Sequence, residues 1–111
     1  MQLLVVLLHR EDLLDEVLSV LVEFELSDPV VIDSRSGLEL LERDLPIFAG
    51  LRSLIPGGID FSRLVLSLVE DDDAGAQAMA AVCRLGDQVP HLAGEAASTV
   101  MLLPVTAARH F

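Results

Sequence analysis

The chain opens on an unbroken apolar run at residues 3–8, Leu-Leu-Val-Val-Leu-Leu, closed by the polar group His9-Arg10-Glu11-Asp12. So short a run without alternation predicts a strand in the middle of a sheet, apolar on both faces. Helical spacing follows: Leu14, Val17, Leu18, Leu21 and Val22 share one face, and Asp15, Glu16, Ser19 and Glu23 take the other. This predicts an amphipathic helix from about residue 13 to residue 25, with acidic side chains in its first turn favoured by the helix dipole. Ser27-Asp28-Pro29 is turn chemistry, and Pro29 prevents continuation of the helix.

Val30-Val31-Ile32 predicts a second strand, which runs into Asp33-Ser34-Arg35-Ser36-Gly37. A long connection then spans residues 38–62, and connections of that length in a small domain are usually functional or disordered. Its apolar content makes plain disorder the weaker reading. Residues 64–69 predict a third strand with Arg63 at its start, and Glu70-Asp71-Asp72-Asp73 lead into a second helix over about 74–86. Acidic residues there cap the helix and complement its dipole, and consecutive carboxylates do not converge on a cation without ligands from elsewhere. A fourth strand is predicted over 99–103, closed by Pro104. The order predicts one α+β domain over residues 1–111, a ferredoxin-like βαββαβ sandwich. Four antiparallel strands carry both helices on one face. The other face has no cover within the chain, so it is expected to pack on copies of itself.

Composition sharpens this expectation. Hydrophobic residues make up 52% and charged residues 23%, as in a packed protein. The apolar share is high for so small a domain, which places part of it between chains. The formal net charge of −11 repels phosphate backbones and anionic lipid, which disfavours nucleic-acid and membrane-surface binding. The run at 3–8 is too short to span a bilayer, and no basic leader or small-residue cleavage site accompanies it. The chain therefore reads as cytoplasmic. Cys83 stands alone and, beside Val82 in the second helix, is expected to be a buried thiol. No nucleophile-elbow, Walker or dinucleotide glycine pattern occurs, so the reading is non-enzymatic.

Three segments carry a family resemblance. Met1-Gln2-Leu3-Leu4-Val5-Val6-Leu7-Leu8, with Arg10 and Leu13-Leu14-Asp15-Glu16-Val17 behind it, resembles the opening of the PII signalling proteins. Val31-Ile32-Asp33-Ser34-Arg35-Ser36-Gly37 is similar to that family's second strand and entry into its T-loop. Thr99-Val100-Met101-Leu102-Leu103-Pro104-Val105 is similar to its last strand, which ends in Pro-Val. The resemblance implies a homotrimer with its sheets facing the three-fold axis. It implies a cleft between subunits for ATP or ADP, with 2-oxoglutarate near the T-loop base, and a T-loop that signals to a protein target. Carried onto this chain, Ser34, Arg35, Ser36 and Gly37 line one side of the cleft, with Arg63 at the foot of the T-loop. Gly94, Thr99 and Arg109 come from the neighbouring subunit.

The chain also departs from the pattern. The family's phosphate-binding Gly-Asp-Gly-Lys falls at Ala96-Ala97-Ser98-Thr99, which removes the glycine backbone and the lysine charge. Arg109 stands where a basic pair is usual, and the absence of tyrosine excludes nucleotidylylation of a tyrosine. Residues 45–55 are apolar where the T-loop is polar. There Ile47, Phe48, Leu51 and Arg52 read either as anchors for a protein partner or as core packed on the trimer; alternatively Arg52 and Arg35 together hold a carboxylate or phosphate. The expectation is a regulatory protein that senses a small anion, an adenine nucleotide or another. Two alternatives stay open: a ligand-free adaptor trimer, and a CutA-like trimer binding divalent metal. His9, His91 and His110 share no spacing for a metal, so no ligand is assigned.

Overall fold

The computed structural model describes residues 1–26, 28–37, 40–41, 61–89 and 98–111. The opening apolar run forms β1 (Gln2–Leu8) and is followed by a 3-10 turn (Glu11–Leu13) and α1 (Leu14–Glu23). Then come β2 (Val30–Asp33), β3 (Arg63–Val69), α2 (Asp72–Gln88) and β4 (Thr99–Pro104). The strands form one antiparallel sheet in the order β2-β3-β1-β4, the ferredoxin-like arrangement. Pro104 sits within β4, opposite Gln2; β4 is an edge strand, where a missing amide costs no ladder bond.

Register decides what each face carries, because partners directly opposite point the same way and neighbours along a strand point oppositely. Leu4, Val6 and Leu8 of β1 share a face with Val65 and Val69 of β3. Both helices cover that face: Leu13, Val17 and Leu21 from the α1 side and Ala78 and Val82 from α2 complete one buried cluster. Leu4, Leu21 and Val65 are fully enclosed. Each such side chain contributes about 1.5–3 kcal/mol by leaving water, so Leu4→Ala should cost about 2–5 kcal/mol.

Two local devices fix the helix ends. α1 closes with Glu25 in the left-handed region at φ 55, while the amides of Glu25 and Leu26 donate to the carbonyls of Val22 and Leu21. That is a Schellman motif with a non-glycine residue in the glycine position. At the start of α2, Asp71 accepts from the amide of Asp73 at 3.0 Å, so the acidic run does cap a helix. The helix begins at Asp72, two residues ahead of the sequence expectation, because this cap lies earlier in the run than Ala74. Cys83 corrects a second expectation. It is exposed, since Gly75, Ala78 and Val82 take the core side and Cys83 lies about 100° further round the helix.

The opposite sheet face is also apolar. It carries Leu3, Val5 and Leu7 of β1, Leu64, Leu66 and Leu68 of β3, Val30 and Ile32 of β2, and Met101 and Leu103 of β4. Thr99 is its single polar side chain. Val30 is 55% exposed, Ile32 42%, Met101 40% and Leu103 43%, so this face is uncovered along both edges. Among the described residues no helix is long and apolar enough to cross a membrane.

Candidate functional site at the foot of the long connection

β2 ends on Asp33 and β3 begins on Arg63, and the sheet sets these two residues directly opposite each other. They share a face, and Arg63 Nε reaches Asp33 Oδ1 at 2.9 Å. Arg63 is also held from other directions. Its Nη1 donates to the Ser62 carbonyl at 2.9 Å, and its guanidinium lies 4.6 Å above the Phe61 ring. The two partners differ in freedom: the Arg63 side chain is 32% exposed, the Asp33 side chain 86%. An ion pair this wet contributes little to stability. A carboxylate with that much solvent is easily withdrawn from an arginine that stays where it is.

The same point ties the two ends of the connection together. The Ser34 amide donates to the Ser62 carbonyl at 3.2 Å, and the Ser34 and Ser62 hydroxyls share a hydrogen bond of 2.5 Å. Ser62 is buried. Just beyond, the Leu40 amide donates to the Ser36 carbonyl at 3.1 Å, a helical bond. Arg35 and Gly37 are exposed and Ser36 is half-buried. Nothing lies within 4 Å of where a side chain at Gly37 would begin, so there is room beside it.

Thr99 belongs to the same end of the sheet, opposite Leu7 of β1. Beside it the His9 amide donates to Ser98 Oγ at 3.2 Å, and His9 Nδ1 is buried without a hydrogen-bond partner among the described residues. Arg109 lies elsewhere. β4 runs away from this end to Pro104, and the Val105 amide donates to the Met1 carbonyl. The tail beyond reaches an open cleft of about 370 Å³, where His110 faces Met1, Phe24 and Leu26. Glu25, Glu70 and Asp71 also line it, so it repels an anion. Within one chain, then, Ser34, Arg35, Ser36, Gly37 and Arg63 gather at one end; Thr99 is at the same end but on the other face and the opposite edge strand, and Arg109 does not join them. Gly94, Ile47, Phe48, Leu51 and Arg52 lie outside the described residues.

Arg10 is committed locally, donating through Nε and Nη2 to the two Asp12 oxygens at 3.1 and 2.8 Å. This hydrogen bonding holds the Asp12 carboxyl below its ordinary value. The pair's stabilisation is therefore present at neutral pH and is lost as pH falls through the carboxylate range. Among the described residues no group of three or more histidine, cysteine, aspartate or glutamate side chains is placed to hold a metal ion.

Asp33, Phe61 and Ser62 are the site residues that sequence pattern does not single out. Their one signal is position: they stand at the two ends of the long connection. No family model matches the chain, and no curated protein matches it.

Proposed function

We propose that this chain is a PII-like regulatory protein that senses a small anion at the foot of residues 38–62 and acts on a protein partner through them. The observation that carries the reading is the clamp at Ser34, Ser62 and Arg63. A guanidinium is pre-positioned where both ends of the longest connection are bonded to each other. Binding at that point is felt at both feet of the connection at once, the geometry an order–disorder switch needs. Arg35, exposed beside the clamp, supplies a second positive charge for a carboxylate or phosphate.

The uncovered sheet face supports assembly of copies, a homotrimer by resemblance. In a chain of net charge −11, that face is where a second copy can approach without meeting like charge. A four-stranded sheet projects roughly 400 Å² at about 4.8 Å between strands and 3.3 Å per residue. A stable interface buries about 800 Å² per partner, so the face serves as the apolar centre and neighbouring segments as the rim. Assembly also offers a route by which Arg109 of one copy meets Arg35 and Arg63 of another.

The test is a thermal-shift screen against ATP, ADP, 2-oxoglutarate, bicarbonate and inorganic phosphate, on protein sized by light scattering. A sensor is stabilised by mass action, about 2.7 kcal/mol at a hundred times Kd. Arg35→Ala should abolish the shift and leave the unliganded melting temperature unchanged. An unchanged shift removes Arg35 from the site, and no shift with any anion sinks the sensor reading in favour of an adaptor.

A further inference from the structure

We infer that Asp33 is a built-in competitor at this site: its carboxylate occupies the Arg63 guanidinium in place of the ligand, and an incoming carboxylate or phosphate displaces it. The inference rests on the anion-sensing reading above and adds what sets its threshold. Arg63 is fixed by groups other than Asp33, since Ser62 accepts from Nη1 and Phe61 supports the guanidinium plane. Losing Asp33 therefore does not lose the arginine's position. Asp33, with its side chain 86% exposed, recovers full hydration when it leaves, so the exchange trades one carboxylate for another at little cost in solvation. The guanidinium offers a planar fork, and a ligand bridging it to Arg35 would make contacts that a single aspartate cannot.

Displacement would also reach the connection. Asp33 is the last residue of β2, and the next residue, Ser34, is bonded through both amide and hydroxyl to Ser62. Exchange of the carboxylate changes the pairing at a point where both feet meet. The pair thus acts as a latch, with ligand affinity lowered by the strength of the internal ion pair.

The experiment is isothermal titration of the full chain and three variants with 2-oxoglutarate, ATP and inorganic phosphate separately. Asp33→Asn keeps the side-chain shape and removes the charge. Asp28→Asn removes one carboxylate just ahead of β2, away from the latch, and controls for net charge. Arg63→Gln removes the guanidinium. The expected result is binding of one probe about five-fold tighter in Asp33→Asn, as release of an exposed ion pair allows. Asp28→Asn should change it by less than about two-fold, since charges beyond a Debye length are screened. Arg63→Gln should lose it. Which probe responds separates a carboxylate ligand from a phosphate one. Unchanged or weaker binding in Asp33→Asn, with binding intact in the parent and lost in Arg63→Gln, overturns the competitor and leaves the sensor standing. Equal tightening in both aspartate variants overturns it too, because the effect is then net charge. No binding of any probe to parent or Asp33→Asn overturns both readings.

Discussion

Glu25 holds a conformation that L residues avoid, at a cost of roughly 1–2 kcal/mol, and it does so because Leu26 must turn back to bond Leu21. Glycine adopts this conformation without strain, though it gives up more chain entropy on folding. Glu25→Gly should therefore stabilise the protein by about 1 kcal/mol, raising the melting temperature by roughly 4 °C. No rise on calorimetry would mean that the left-handed turn is not the dominant conformation in solution. Asp71 gives the opposite case. Its carboxylate satisfies the Asp73 amide at the start of α2, so Asp71→Ala should cost about 1 kcal/mol in chemical denaturation. Sequence made the second legible and not the first: an acidic run before a helix states its purpose, whereas a glutamate before Leu-Ser-Asp-Pro gives no sign of a left-handed cap.

Elements were legible where burial writes a period into the sequence. β1, β3 and β4 appear as short apolar runs, and α1 as a stripe of leucine and valine. The pairing of Asp33 with Arg63 was not legible. It depends on the register of β2 on β3, and those strands are far apart in sequence rather than joined by a short hairpin loop that would fix that register. The His9–Ser98 contact spans 89 positions and leaves no local trace. The phase of α2 was readable in part: Gly75, Ala78 and Val82 mark the buried stripe, and a thiol one position beyond Val82 falls outside it. Gly86 continues that stripe one turn beyond Val82, past the packed core, with nothing within 4 Å of the point where a side chain would begin. Gly86→Ala should gain about 0.5–1 kcal/mol from helix propensity, read as a higher denaturation midpoint with unchanged slope. A loss would show that the last turn of α2 needs glycine for something other than space.

At the scale of the molecule, one helix-covered face accounts for the fold, and among the described residues no element covers the other. Val5 is 7% exposed although it points away from the core under the helices. A contiguous exposed apolar face of this kind commonly marks an interaction surface. The reading of copies meeting face to face makes a sharp prediction. Ile32 and Met101 stand on opposite edge strands of this face, each at least 40% exposed, and neither touches the intrachain core. Glutamate at both positions leaves each monomer's packing intact but places unpaired carboxylates on both flanks of any sheet-to-sheet contact, at a cost of several kcal/mol per charge buried there. Sedimentation velocity should find the parent chain as a trimer and Ile32→Glu/Met101→Glu as a monomer, with the same circular dichroism. A variant that stays trimeric would move the interface off this face. A parent chain that sediments as a monomer would mean that its own residues or another protein cover the sheet, and Arg109 would then have no copy through which to reach Arg63.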